Sequence, residues 1–204
     1  MDILGKLFGS TARVKIMRLF LLNTEDAFEN ADVVKKSKVT ASVARKELLM
    51  LNKIGFINKR SFFKEISAKT KKGKPKKKRV SGWQLNNEFT LLYPLHNLLI
   101  SSEPLGKKEI INRLKRCGNI KLVVVSGVFI QNSDSRIDML IVGDRLKKNT
   151  INNVLSVIES ELGKELSYTS LETPEFKYRL SVYDKFIRDV LDYPHIKILD
   201  KIGI

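Results

Sequence analysis

Eight of the eleven residues from Lys69 to Arg79 are cations and none is an anion: Lys69, Lys71, Lys72, Lys74, Lys76, Lys77, Lys78 and Arg79. The chemistry open to such a run is neutralisation of phosphates on another molecule. Gly73 and Pro75 in its middle forbid a stable helix. Lysine is a flexible point charge, good for phosphate and poor at reading bases, so the run would supply affinity rather than sequence choice. Neutralising six to ten phosphates makes affinity fall roughly 10³–10⁵-fold between 50 and 200 mM salt. On charge alone, a solvated tract or an import-like signal in a eukaryotic host is the alternative. A second group, Thr40, Ser42, Arg45 and Lys46, has types that reach base edges. Arginine donates two hydrogen bonds to one guanine, and a hydroxyl reaches a base or a phosphate. The bland alternative makes Arg45 and Lys46 solvent-facing helix formers. Lys35, Lys36 and Lys38 lie just upstream and are candidates for positioning contacts with a nucleic-acid backbone.

The composition narrows the classes. The 204 residues carry a net charge of +16, and the surplus is uneven. Residues 1–102 hold 21 Lys and Arg against 8 Asp and Glu; the remainder hold 17 against 14. One cysteine, Cys117, excludes an internal disulfide and a cysteine-based zinc cage. His96 and His195 are too few for a histidine metal site or a Ser–His pair, and no cofactor or metal is expected. No run of 18 apolar residues exists, so no membrane span is expected. The start, Met1 to Lys6, lacks the basic-then-apolar order of a signal peptide, and a cytoplasmic protein is expected.

The elements that would position these residues follow from periodicity. Ser10 can cap a helix to about Leu22, with Ala12, Ile16, Leu19 and Phe20 as its apolar stripe. Asn30 can cap a short helix to about Lys36, and Ser37-Lys38-Val39 is a tight connector. Thr40 caps a third helix to about Lys53, with Ala44, Leu48 and Leu51 inward. Thr40, Ala41, Ser42, Arg45, Lys46 and Leu49 then point outward, and Gly55 ends the helix. Phe56 to Ile66 reads as a strand, Ser67 to Arg79 as its loop, and Val80 to Leu85 as the returning strand, with Trp83 as core. Phe89 to Ser101 reads as a connecting helix. Beyond it, strands at 121–126, 136–142, 166–171 and 195–199 alternate with helices at 107–117, 147–162, from Pro174, and 185–191. Cys117 is expected to be packed, and the Arg113–Arg116 cluster is either a solvated face or an extension of the basic surface.

Three short helices followed by a cationic hairpin is the order of a winged helix-turn-helix. Leu7-Phe8-Gly9-Ser10, Arg13-Val14-Lys15-Ile16 and Leu51-Asn52-Lys53-Ile54-Gly55-Phe56-Ile57 resemble the ArsR-like winged-helix regulators over about residues 5–90. Val125-Ser126-Gly127-Val128 and Asp134 to Asp144 resemble the minimal nucleotidyltransferase fold, as do Leu162 to Tyr168, Thr173 to Phe176 and the segments near 186–199. That family places Gly-Ser at a strand end and two Asp residues one position apart on the next strand. Alternate strand residues share a face, so the two carboxylates, with a third acid, hold Mg²⁺. Here Asp138 matches the second Asp, but Arg136 stands at the first and Val128 at the Ser, and Glu165 lies too early to supply the third acid. Asp134 cannot substitute: four strand residues span about 13 Å, and Mg²⁺ ligands sit about 2 Å from the ion. A structural role for Asp138, as a salt bridge or hydrogen bond with Arg136 as one candidate partner, fits better.

The expectation is an α+β chain. Residues 1–88 would form the winged helix, 89–104 a connecting helix or linker, and 105–204 an inactive nucleotidyltransferase-like domain. The resemblance implies a transcriptional regulator on double-stranded DNA, with a homodimer and a small-molecule effector left open. The alternatives are a nucleotidyltransferase acting on RNA or protein, and a non-specific or architectural nucleic-acid binder.

Overall fold

The structure, a computed structural model, describes residues 3–66, 76–101, 105–132 and 134–204. It is an α+β arrangement with two sheets. Two compact units emerge: Met1–Ser102 with Ser160–Gly163, and Glu103–Glu159 with Lys164–Ile204.

The first unit begins with a short helix α1 (Ile3–Leu7), which the sequence pattern does not announce. Helix α2 (Thr11–Leu21) starts where Ser10 accepts a hydrogen bond from the Arg13 N–H at 3.1 Å. A two-residue strand β1 (Ala27–Phe28) precedes α3 (Asn30–Ser37). The cap of α3 is Glu29, not Asn30. The Asp32 carboxylate accepts the Glu29 N–H at 3.2 Å, and the Asn30 amide oxygen instead takes the Trp83 indole N–H at 2.7 Å. Helix α4 (Ala41–Lys53) is capped by Thr40, whose hydroxyl accepts the Val43 N–H at 3.4 Å. Gly55 has φ +81°, a left-handed conformation that lets the Phe56 N–H reach back to Leu51 O at 3.0 Å. The chain leaves at once into β2 (Ile57–Ile66) and returns as β3 (Lys76–Leu85), two antiparallel strands of 10 residues. The return begins four residues earlier than the sequence suggests. Lys76, Lys77, Lys78 and Arg79 are therefore strand residues, while Lys69, Lys71, Lys72 and Lys74 lie outside the described residues. The sheet order is β1-β3-β2.

One core joins these elements. Ile16 and Phe20 of α2, Val33 of α3, Ala44, Leu48 and Leu51 of α4, and Phe56 and Ile57 are fully buried together. Trp83 belongs to the same cluster. Phe20 and Phe28 meet edge to face, 5.6 Å between ring centres. The connecting segment is split rather than one helix. A short α5 (Leu92–His96) holds Pro94 in its first turn, where a missing N–H costs nothing, and a π-helical turn (Asn97–Ser101) follows. Leu91 and Leu98 stay exposed, and Leu99 enters the core.

The second unit has a four-stranded sheet in the order β6-β5-β4-β7. It runs α6 (Lys107–Leu114), β4 (Asn119–Val125), β5 (Met139–Asp144), α7 (Lys148–Leu162, of which the residues from Ser160 on group with the first unit), β6 (Tyr168–Glu172), α8 (Thr173–Ser181), α9 (Lys185–Asp192) and β7 (Ile196–Asp200). Strands β4 and β5 are antiparallel, β5 and β6 are parallel, and β7 is antiparallel to β4. Leu122, Val124, Leu140 and Val142 pack with Phe176, Ile187 and Val190. The alternate residues Val123, Val125, Met139 and Ile141 are buried too, so both sheet faces are covered. Cys117 is fully buried, and loss of water pushes its thiol pKa up.

A charged pair inside the first unit was not legible in the sequence. Glu47 lies on the inward side of α4 with its side chain 6% exposed, and the Arg13 guanidinium meets it at 2.8 Å. The same guanidinium donates to Phe8 O at 2.8 Å. Arg13→Met leaves a buried carboxylate unpaired, so it should cost about 2 kcal/mol of unfolding free energy. Arg179→Met, which breaks an exposed one-turn pair with Glu175, should change stability by no more than about 0.5 kcal/mol. Urea denaturation of the two variants measures the contrast.

Candidate nucleic-acid interface

Helix α4 buries one side and turns the other to solvent. Ala44, Glu47, Leu48 and Leu51 face the core. Thr40, Ala41, Ser42, Arg45, Lys46 and Leu49 are exposed, as the helical period requires. Ala41, Ser42, Arg45, Lys46 and Leu49 line one shallow depression of about 530 Å³. Leu49 stands 52% exposed at its far end, an apolar atom group beside two cations. Upstream, Lys35 and Lys38 are exposed, and Lys38 makes the turn between helices with φ +51°. Lys36 is partly engaged already, its ammonium 5.9 Å from the Phe28 ring centre.

The hairpin carries the second cluster. Its register sets Lys77 opposite Glu65, Lys78 opposite Lys64 and Arg79 opposite Phe63. Two like charges facing each other on a ladder are unfavourable. The fold offsets this by binding Lys64 to acids on another element: its ammonium lies 2.7 Å from Asp32 and 2.8 Å from Glu29. The hydrogen bond to Asp32, and then that to Glu29, raise the Lys64 pKa above its ordinary value. A raised pKa means this tie holds fully below the ordinary lysine range and loosens only as pH climbs through the raised value. Lys77, Lys78 and Arg79 remain exposed. Among the described residues, no ion pair engages Arg45, Lys46, Lys77, Lys78 or Arg79.

The second unit places Asp138 differently from the sequence expectation. Asp138 and Arg136 precede β5 rather than lying on it, so strand alternation does not align them. Arg136 turns outward to form an ion pair with Asp189, its guanidinium 5.5 Å from the Phe186 ring centre. Asp138 does not pair with it. One carboxylate oxygen of Asp138 accepts the Val128 N–H at 2.8 Å, and the other accepts the Ser167 N–H at 2.8 Å. Gly127 makes this possible. It has φ +55°, and a Cβ there would stand 2.1 Å from the Asp138 Oδ1. Among the described residues, no group of three or more His, Cys, Asp or Glu side chains converges as a metal site. Arg113 of the basic cluster pairs with Glu109 one turn earlier.

Asp138→Asn turns an amide N–H₂ toward one of two backbone donors, so stability should fall by about 1–3 kcal/mol. Gly127→Ala adds both left-handed strain and the contact with Asp138, and should cost at least about 2 kcal/mol. Thermal unfolding reads both losses.

No family model matches the chain, and no curated protein or solved structure is significantly similar to it.

Proposed function

We propose that this chain is a DNA-binding transcription regulator. In this reading the first unit is a winged helix-turn-helix, with α3 and α4 as the helix pair and β2–β3 as the wing. The second unit is a nucleotidyltransferase-like domain without transfer activity. The observation that carries the proposal is the outward face of α4: Ser42, Arg45 and Lys46 exposed side by side on a helix whose opposite side is locked into the core. A helix of about 10–12 Å diameter fits the major groove, which is about 12 Å wide. Thr40, Ser42 and Arg45 lie in its first turns, where recognition helices meet base edges. Lys77, Lys78 and Arg79, exposed on the neighbouring hairpin, supply phosphate contacts. In the second unit, Arg136 stands where the resemblance expects the first metal-binding Asp, and both oxygens of Asp138 accept backbone N–H groups.

Selection from a random duplex pool tests the reading. An enriched motif supports a regulator; a flat pool supports a non-specific binder. Mg²⁺-dependent incorporation of labelled nucleotide that Asp138→Asn abolishes would establish the enzyme alternative instead. On an enriched site, Arg45→Ala should lose about 1–3 kcal/mol of discrimination at one base pair, read by competition with single-base variants. The triple change Lys77→Gln, Lys78→Gln, Arg79→Gln should weaken all sequences alike. It should also make the log–log salt slope shallower by about 2 to 3, read by anisotropy titrations at several salt concentrations.

A further inference from the structure

The sheet of the second unit has two ends, and the Asp138 turn occupies one of them. At the other end β4 starts and β5, β6 and β7 stop, with Asn119 opposite Asp144 and Gly143 opposite Glu172. Two loops meet there. The Lys147 N–H donates to Cys117 O at 2.8 Å, and a Cβ on Gly118 would stand 2.9 Å from Arg145 O. The turn after α6 (Lys115–Cys117) is thereby held against the segment that opens α7. This junction gathers Lys115, Arg116, Arg145, Lys147 and Lys148, and all five are exposed.

The acids at the strand ends are occupied elsewhere. Asp144 pairs with Lys121 at 2.7 Å, and that bond above all holds its carboxyl below the usual range. Glu172 accepts the N–H groups of Arg145 and Leu146 at 3.0 and 2.9 Å. Asp200 accepts those of Ile202, Gly203 and Ile204. Among the described residues, no ion pair engages any of the five cations. The fold gains nothing from two of them. Lys147 and Lys148 stand at the start of α7, where the helix dipole disfavours a cation, and no acid in the first turn offsets them.

We propose that this end of the second unit is a second contact for duplex DNA, with Lys115, Arg116, Arg145, Lys147 and Lys148 taking phosphates of its backbone. The inference rests on the DNA-binding reading above for the identity of the polyanion, and it gives the second unit a part in that binding. The residue types select the partner. A single strand is held by aromatic side chains on which its bases stack. The segments 114–121 and 143–150 contain no aromatic residue. A protein partner or a membrane needs an exposed apolar anchor. Leu114, Cys117, Ile120 and Val142 are buried here and Leu146 is half-buried, so the patch offers none. A duplex presents a dense array of phosphates, one charge per about 1.7 Å of axis, and asks only for cations. Phosphate contacts carry no sequence information, so the patch strengthens binding to every sequence alike.

The test uses the full chain, a 30-base-pair duplex of mixed sequence and one of its single strands, with fluorescence anisotropy at several salt concentrations. Circular dichroism confirms that each variant is folded. The triple change Arg116→Gln, Lys147→Gln, Lys148→Gln should weaken duplex binding and make the log–log salt slope shallower by about 2 to 3. A control triple, Lys164→Gln, Lys185→Gln, Arg188→Gln, removes the same charge from exposed positions before β6 and on α9, and should leave the slope unchanged. The patch triple added to Lys77→Gln, Lys78→Gln, Arg79→Gln should lower the slope by the sum of the two separate changes, because the two surfaces take different phosphates. A patch triple with the wild-type slope overturns this inference and leaves the DNA-binding reading standing. Equal losses from the patch and control triples overturn it too, since total charge rather than this surface then sets the affinity. A loss on the single strand as large as on the duplex overturns the choice of partner. A wild-type chain with no affinity for the duplex overturns the underlying reading and this inference with it.

Discussion

The face of α4 that meets the core decides what its other face can be. Ala44, Leu48 and Leu51 repeat at the helical period and are fully buried, so residues about half a turn away have no choice but solvent. The buried set includes Glu47, and a carboxylate in that position needs a partner. Arg13 of α2 supplies one and at the same time closes on Phe8 O. The helix is thus fixed in rotation both by apolar burial and by a directional ion pair. Rotating α4 by a quarter turn would expose a leucine and strip Glu47 of its guanidinium. The exposed row of Ser42, Arg45, Lys46 and Leu49 is held by that constraint rather than by any contact of its own.

The chain's cations divide by the same logic into those that the fold consumes and those that it leaves. Lys64 is held by Asp32 and Glu29, Lys121 by Asp144, Arg113 by Glu109 and Arg136 by Asp189. Glu109 lies one turn from Arg113 and Asp144 on the strand paired with that of Lys121, whereas Asp32, Glu29 and Asp189 reach their partners across the tertiary fold. The hairpin has one acid on its described strands, Glu65, and α4 has one, Glu47, which faces inward. Both elements therefore keep exposed positive charge. A net charge of +16 repels itself, and it is concentrated where the fold offers no internal relief.

Local signals were legible in the sequence, and long-range ones were not. Ser10, Thr40 and Gly55 act as read because a cap or a left-handed terminus is decided within three or four residues. Asn30 has the right type for a cap but yields the position to Glu29, because the Trp83 indole 53 residues later competes for its amide. The Arg13–Glu47 pair spans 34 residues and follows no period, so nothing in the sequence marks it. Lys76 to Arg79 looked like loop because lysines with a nearby Gly and Pro read as turn composition. Pairing with the strand from Ile57 to Ile66 overrides that composition and extends the ribbon.

The stretch from Gly127 to Asp138 gives one acidic residue a structural task. In the sequence, Asp138 stands two positions after Arg136, and a salt bridge or hydrogen bond is its expected role. In the fold it is a connector. Its carboxylate joins the turn after β4, through Val128, to the residue before β6, through Ser167, and the Asp138 N–H itself donates to Ser167 O at 2.7 Å. The parallel pair β5–β6 begins there, at Met139 opposite Tyr168. Parallel strands cannot be set in register by a tight turn, since a crossover helix separates them. A side chain that grips the entry of the second strand takes over that task. Asp138 is the residue that does so here, and Gly127 is glycine because any larger residue would displace the carboxylate from the grip.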